Sequence, residues 1–222
     1  MCKRIINNYS ELRFNVKRIC KKINRDPNNI NIVVVTKNQK VKDISALLNF
    51  GHMSFGENRE KESYEKWKDI KNQTKILHYI GALQSKKVKN IMDHFNVIET
   101  LDSESAAKNI SKYIFNKKNQ AGFPKIFIQI NIGNETQKRG ILISDLRSFL
   151  NMCKVRYNLS ISGAMCMAPV GKPAEKYFAL MQSICKETNL NDISMGMSND
   201  YEEAILNGST NIRIGSLIFD KS

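Results

Sequence analysis

The segment Ile32-Val33-Val34-Val35-Thr36-Lys37 decides the fold, because it is a short run of β-branched apolar residues that ends in a charged side chain. A run of this kind is typical of a strand that is buried on both faces, as in a parallel sheet covered by helices. Seven further short apolar runs follow along the chain, and amphipathic stretches separate them. The predicted strands are residues 32–35, 53–55, 76–80, 97–100, 126–131, 159–165, 192–195 and 212–214.

The intervals between these strands have helical periodicity, and one additional helix precedes the first strand. Eight alternations of strand and helix in 222 residues predict an α/β fold, a single closed (β/α)8 TIM barrel with short loops and no second β domain. We expect residues 1–222 to form one domain. An open doubly wound sheet has the same local signals and is the alternative. The predicted helices are residues 5–24, 41–50, 57–70, 85–92, 103–115, 144–153, 174–188 and 200–206.

The composition predicts a cytoplasmic protein without a membrane partner, because the chain has no long apolar stretch and residues 1–7 lack the features of a secretory signal. The five cysteines are odd in number and form no CxxC pair, so we expect reduced thiols and neither disulfides nor a metal site. The net charge is +14, but the basic residues are dispersed along the chain. We therefore expect no specific nucleic-acid binding.

Lys37 is a candidate amine for capturing an aldehyde. At the end of a buried strand, desolvation favours the neutral amine of a lysine, and a neutral amine is a nucleophile that condenses with carbonyl compounds. The alternative is that Lys37 closes the strand and extends its ammonium group into water.

Two segments at the ends of the last two strands fit an anion-binding cup. They are Ser194-Met195-Gly196-Met197-Ser198-Asn199-Asp200 and Ile212-Arg213-Ile214-Gly215-Ser216. Small residues let backbone N–H groups approach a phosphate, hydroxyl groups donate hydrogen bonds, and arginine carries a permanent charge. Phosphate sites of β/α barrels commonly occupy these loops. The alternative is that the glycines only form turns and that Ser198 is an ordinary helix N-cap.

Motifs at the strand ends together resemble one known family. Over residues 32–219 the chain closely resembles the YggS-type (PROSC) pyridoxal phosphate homeostasis proteins, and the two segments quoted above are its most specific motifs. The other motifs that carry the resemblance are Val35-Thr36-Lys37, Phe55-Gly56-Glu57-Asn58, His78-Tyr79-Ile80-Gly81, Leu83-Gln84-Ser85 with Lys87, Gln129-Ile130-Asn131 with Glu135 and Lys138, and Gly163 with Met165, Met167, Ala168 and Pro169.

The resemblance implies a fold-type III barrel, similar to the N-terminal domain of alanine racemase, that holds pyridoxal 5'-phosphate (PLP) as an internal aldimine on Lys37. It also implies that Asn58 lies near the cofactor. The residues that fall on the phosphate-binding segments of the family are Ser198, Arg213, Gly215 and Ser216. The chain departs from the family at Gln39, where many relatives have a second lysine, at Ala164, where leucine is usual, and at Asp220, where glycine is usual.

We therefore predict a PLP-binding protein that takes part in intracellular PLP homeostasis, by buffering the aldehyde or by delivering it to apo PLP-dependent enzymes, without robust catalytic activity. Racemases of this architecture take an opposite acid/base group from a second domain, which we do not expect here, and we expect a monomer. The alternatives are a PLP-dependent amino-acid racemase or lyase, and a nucleic-acid-binding module. Candidates for transient PLP capture are Lys86, Lys87 and Lys138.

Overall fold

Eight parallel strands close into one barrel in the computed structural model of the chain, which describes residues 2–70, 74–117 and 122–220. Each strand pairs with the next one along the chain, and the eighth pairs with the first, so that Val33 lies beside Arg213. This closure confirms the (β/α)8 barrel and excludes the open sheet. The strands are β1 (Asn31–Val35), β2 (Ser54–Glu57), β3 (Ile76–Tyr79), β4 (Val97–Leu101), β5 (Lys125–Ile130), β6 (Gly163–Cys166), β7 (Asp192–Ser194) and β8 (Asn211–Ile214).

Helices cover the outside of this barrel, and their apolar faces form the main hydrophobic core together with the outward-facing strand residues. The predicted N-terminal helix is confirmed, and it packs its buried face, which includes Leu12 and Val16, against other helices near both ends of the chain. The helices are α1 (Cys2–Lys22), α2 (Val41–Asn49), α3 (Glu60–Trp67), α4 (Val88–His94), α5 (Glu104–Asn116), α6 (Leu146–Asn151), α7 (Ala174–Thr188), α8 (Tyr201–Leu206) and α9 (Ser216–Phe219).

Three of the differences between the predicted and the observed elements have a clear physical reason. The predicted strand 159–165 begins only at Gly163, where a Cβ would lie 2.2 Å from the backbone oxygen of Asp192, so the close pairing of β6 with β7 requires glycine. The predicted helix 57–70 starts later, because Glu57 still belongs to β2. The helix α9 was not predicted, because four residues are too few to form a periodic pattern.

The inside of the barrel is polar. His78 on β3, Glu99 on β4, Ser194 on β7 and Arg213 on β8 are all buried, and hydrogen bonds join them to one another. The strands β3 and β4 lie across the closed barrel from β7 and β8, so these contacts pass through its centre. Barrels of this kind are usually filled by branched apolar side chains. This chain replaces part of that packing with a hydrogen-bonded network.

No helix in the described part of the chain is both long enough and apolar enough to cross a membrane. The five cysteines all lie among the described residues and carry free thiols, which agrees with the expected absence of disulfides. Burial raises the pKa of the Cys166 thiol to about 12, so this thiol stays protonated inside the core.

His52 is a buried histidine whose titration opposes folding in acid. Its Nδ1 lies 2.7 Å from the hydroxyl of Tyr9, and its Nε2 lies 2.6 Å from the carbonyl oxygen of Ser54. The pKa of His52 is lowered to about 4, mainly by burial; the hydrogen bond to Ser54 opposes this shift, and the nearby charge of Arg13 adds to it. A histidine in the unfolded chain binds a proton below about pH 6.5. Acid therefore favours the unfolded state.

We expect His52 to remove about 3 kcal/mol of stability as the pH falls from about 6.5 to 4, because the unfolded chain gains a proton that the folded chain does not bind. Urea unfolding of the parent and of His52→Gln across this range measures the effect. The parent should lose about 3 kcal/mol more than the variant. Equal pH dependence of the two proteins would contradict this prediction.

Candidate functional site

One cavity, with a volume of about 600 Å³, opens at the carboxyl ends of β1, β6, β7 and β8. Ligand sites of β/α barrels lie at this end of the strands. Asn58, which follows β2, does not line this cavity in the described part of the chain. The other five predicted site residues all line it, and they are Lys37, Ser198, Arg213, Gly215 and Ser216.

Lys37 lies in the turn that follows β1. The N–H of Gln39 donates to the carbonyl oxygen of Thr36 at 3.1 Å, and Asn38 has a left-handed φ of 60°, which asparagine tolerates better than most residues. The Lys37 side chain is exposed, and its amine has no hydrogen bond or ion pair with the described residues. The expected burial of this amine at the strand end is therefore wrong, because Thr36 is the last buried residue before the chain turns outward.

The loops after β7 and β8 form one wall of the cavity and contact each other through Ser198. The N–H of Leu217, in the first turn of α9, donates to Ser198 Oγ at 3.5 Å. Gly196 has a φ of 94°, and a Cβ there would lie 2.5 Å from the Cβ of Ala204, so only glycine fits this turn. Ser198 is not the N-cap of α8, because that position is held by Asp200. The N-cap alternative is therefore wrong.

Arg213 lines the cavity from the barrel side, but its hydrogen bonds point into the barrel. Its Nη1 donates to Ser194 Oγ at 2.6 Å, and its Nη2 donates to the carbonyl oxygen of Cys166 at 2.9 Å. The same Nη1 lies 3.8 Å from Oε2 of Glu99. The sequence predicted a positive charge in the anion cup but did not predict these partners. Their hydrogen bonds hold the guanidinium group in place without a ligand.

Glu99 connects Arg213 to His78 inside the barrel. Its Oε1 lies 2.6 Å from His78 Nδ1, and its Oε2 accepts a hydrogen bond from Ser194 Oγ at 2.6 Å. Burial works to raise the pKa of Glu99, but the hydrogen bonds and the charges of His78 and Arg213 outweigh burial and hold the pKa below its usual value. Sequence reasoning missed this residue, although a glutamate within an apolar strand was an available signal.

A second buried ion pair lies behind the turn that carries Lys37. Lys66 Nζ lies 2.9 Å from Oε1 and 3.1 Å from Oε2 of Glu57, and Glu57 is fully buried. Lys66 also donates to the carbonyl oxygen of Thr36 at 2.6 Å, and the Thr36 hydroxyl donates to Glu57 at 2.6 Å. The sequence analysis did not single out Lys66, because a lysine on an amphipathic helix is usually solvated.

Asn58 has an unpaired polar atom. Its Oδ1 is buried and has no hydrogen-bond partner among the described residues. Its backbone is held close to Gly81, where a Cβ would lie 2.0 Å from the Asn58 carbonyl oxygen. Buried polar atoms are normally paired, so an unpaired amide oxygen at the carboxyl end of β2 fits a site that receives a polar group.

None of the three lysines considered for transient capture lines the cavity in the part of the chain that the structure describes. Lys87 forms an ion pair with a carboxylate of α3, and Lys86 is exposed. Lys138 lies 2.6 Å from the carboxylate of Glu135, and its Nζ also donates to the carbonyl oxygen of Ala168 at 3.4 Å. Ala168 lines the cavity, so Lys138 contacts its rim.

The charge and size of the cavity suit a small phosphorylated ligand. Pockets for small molecules commonly measure about 300 to 1,000 Å³, and this cavity lies within that range. The hydroxyl-bearing residues Ser198 and Ser216 line the cavity together with its charged residues. Three cationic residues line the cavity, Lys37, Lys172 and Arg213, and two acidic residues also line it, Asp200 and Glu203.

Comparisons with known proteins agree with this geometry. The family model described as alanine racemase, N-terminal domain, matches residues 8–222. The pyridoxal phosphate homeostasis protein of Buchnera aphidicola subsp. Schizaphis graminum is 32% identical over 227 residues, which cover 95% of this chain and 97% of that protein. The structure of PipY from Synechococcus elongatus PCC7942 with PLP bound is 26% identical to this chain.

The structure of PipY without PLP is 27% identical to this chain, with a TM-score of 0.80, and the match covers 92% of this chain and 99% of that chain. The PLP-bound structure has a TM-score of 0.78, and the match covers 92% of this chain and 99% of that chain. Alanine racemase from Bartonella henselae, with covalently bound pyridoxal phosphate, has a TM-score of 0.72 at 12% identity and covers 99% of this chain and 59% of that chain. This last likeness shows the fold alone.

The closed parallel barrel and the match of the family model to residues 8–222 place the chain in the class of alanine racemase N-terminal-domain barrels. The chain belongs to the family of pyridoxal phosphate homeostasis proteins, within the group described by the alanine racemase N-terminal domain. The resemblance noted in the sequence is thereby confirmed.

Proposed function

We propose that this protein binds PLP in the cavity at the carboxyl end of its barrel and takes part in intracellular PLP homeostasis, by buffering PLP or delivering it to apo PLP-dependent enzymes. The observation that carries the proposal is that Lys37 and the loops of Ser198 and Gly215 surround one cavity. The names of the relatives and the PLP-bound PipY structure support it. The proposal includes one PLP-binding domain over residues 1–222, a cytoplasmic location, a monomeric state and no specific nucleic-acid partner.

Lys37 is the proposed attachment point. PLP supplies an aldehyde, and a lysine amine adds to its carbonyl carbon with loss of one water molecule to give a reversible C=N link. The Lys37 amine has no partner among the described residues, so no existing hydrogen bond or ion pair has to break before it reacts. Its exposure keeps the amine accessible to a ligand that enters from solvent.

The loops after β7 and β8 are the proposed phosphate site. Ser198 and Ser216 supply hydroxyl donors, and Lys172 adds a positive charge from the loop after β6. A Cβ at Gly215 would meet no atom closer than 3.5 Å, so the space in front of its backbone is open to a ligand. Asn58 is proposed to lie near the cofactor from the family resemblance and its unpaired Oδ1, although it does not line this cavity among the described residues.

We further propose that the protein has no robust catalytic activity. The described residues that line the cavity include no histidine, tyrosine or cysteine to serve as an acid/base group. Of the carboxylates there, that of Asp200 already accepts the N–H of Met197 at 2.6 Å. The rival proposal, a racemase or lyase, requires exchange of an amino acid's α-proton into deuterated solvent at a rate that depends on PLP.

We expect Lys37→Ala to lose all covalently attached PLP, because it removes the proposed nucleophile while leaving the phosphate loops in place. The parent should develop a long-wavelength absorbance band with PLP, and borohydride reduction followed by peptide mapping should locate the label on Lys37. Lys40→Ala, at an exposed lysine three residues further on, is the matched control and should keep both signals. A label on Lys172 or Lys138 in the parent, or an unchanged band in Lys37→Ala, would refute the assignment.

A further inference from the structure

We propose that Glu62 and Lys66 are positioning residues for Lys37, and that they hold the turn carrying Lys37 from both sides so that its amine is presented to the cavity. This inference rests on the proposed function, because it assumes that Lys37 is the amine that binds PLP. Neither residue lines the cavity in the described part of the chain. Their effect therefore passes through the backbone of residues 36–38.

The first attachment lies on the residue before Lys37. Lys66 Nζ donates to the carbonyl oxygen of Thr36 at 2.6 Å, and the Thr36 hydroxyl donates to Glu57 Oε1 at 2.6 Å. The indole N–H of Trp67 donates to the same carboxylate oxygen at 3.1 Å. The backbone that enters the turn is thus fixed to a buried cluster that belongs to β2 and α3.

The second attachment lies on the residue after Lys37. Oε1 of Glu62 accepts the backbone N–H of Asn38 at 2.8 Å, and the same oxygen lies 3.1 Å from Lys66 Nζ. Asn38 has a φ of 60°, a conformation that is uncommon outside glycine and persists where surrounding contacts support it. The Lys66 ammonium group therefore connects the hydrogen bond at Thr36, before Lys37, with the hydrogen bond at Asn38, after it.

The cluster is electrostatically suited to hold the turn firmly. The hydrogen bond from Asn38 is the main reason why the pKa of Glu62 lies below its usual value; burial opposes this shift, and Lys66 adds to it. The carboxylate stays ionised, and hydrogen bonds to ionised groups are stronger than those between neutral groups. The Glu62 side chain is 28% exposed and that of Lys66 is 7% exposed, so water competes little for the ammonium group.

The backbone is also the means by which Lys37 is positioned. Its side chain has no partner among the described residues, so no side-chain contact orients the amine. Ordering the turn reduces the number of conformations that the chain must give up when PLP attaches. A turn that is ordered in advance should therefore increase affinity only for ligands that use the Lys37 amine.

Pyridoxamine 5'-phosphate separates this role from a general structural one, because it keeps the ring and the phosphate but has an amine in place of the aldehyde. It occupies the cavity without forming a link to Lys37. We expect Glu62→Ala to weaken PLP binding about tenfold, the effect of losing one hydrogen bond to a charged group, and to leave pyridoxamine 5'-phosphate binding unchanged. Glu62→Gln retains an acceptor oxygen and should recover most of the PLP affinity.

The matched control is Glu65→Ala, on the same helix, whose carboxylate pairs with Lys68 on the exposed face. It should bind both ligands like the parent. Equal weakening of both ligands in Glu62→Ala, or no weakening of PLP binding, would overturn the inference. Partial unfolding of Glu62→Ala would weaken the binding of PLP and of pyridoxamine 5'-phosphate by the same factor. That result would also count against the inference. Absence of a reducible link to Lys37 in the parent would instead overturn the proposed function.

Discussion

Replacing Glu99 by glutamine is expected to lower the free energy of unfolding by about 3–5 kcal/mol, the typical cost of removing one partner of a buried ion pair. Glu99 is fully buried and accepts hydrogen bonds from His78 and Ser194. The amide of glutamine has one acceptor oxygen and one donor group, so one of these partners faces a donor in the variant. Arg213 also loses the carboxylate that lies 3.8 Å from it.

Urea unfolding followed by the fluorescence of Trp67, the single tryptophan, measures this loss. Glu187→Gln is the matched control, because its ion pair with Arg147 is exposed and should contribute less than about 1 kcal/mol. Because the folded pKa of Glu99 lies below its usual value, its contribution is complete above about pH 5 and is lost as the pH falls. Equal losses in the two variants would show that the barrel tolerates an uncharged side chain at position 99.

Replacing Lys66 by methionine is expected to lower the free energy of unfolding by a similar amount, about 3–5 kcal/mol. Lys66 is 9% exposed, and its ammonium group is the cation beside the fully buried carboxylate of Glu57. Methionine has nearly the same length but no charge, so Glu57 keeps only the hydrogen bonds from Thr36 and Trp67. A buried carboxylate with those partners alone carries an uncompensated charge.

The double variant Glu57→Gln with Lys66→Met distinguishes lost charge balance from lost packing. If charge balance dominates, the double variant should be more stable than the sum of the two single losses predicts, because removing Glu57 relieves the unpaired charge. Lys68→Met, at an exposed lysine directly after the same helix, is the control and should leave stability nearly unchanged. Strict additivity of the two buried substitutions would contradict this account.

The sequence by itself determined the barrel and the end of the barrel where the candidate site lies. Short β-branched runs that alternate with helical periodicity are local patterns, and the eight predicted strands all occur. The motifs around Lys37, Ser198 and Gly215 lie directly after strands, and parallel strands in a closed barrel bring such positions to one end. Local sequence patterns were therefore enough to bring five of the six predicted site residues to one cavity, without information about distant contacts.

Only the tertiary structure decided how the charged residues behave. Ser194 and Glu99 are 95 positions apart in the sequence, and Lys66 and Thr36 are 30 positions apart, so no local sequence pattern predicts either contact. The same holds for Lys37, whose exposure depends on where the chain turns after Thr36. Local patterns specify strands and helices because hydrophobic periodicity acts over a few residues. Burial and pairing of charges depend on which distant side chains the closed barrel brings together.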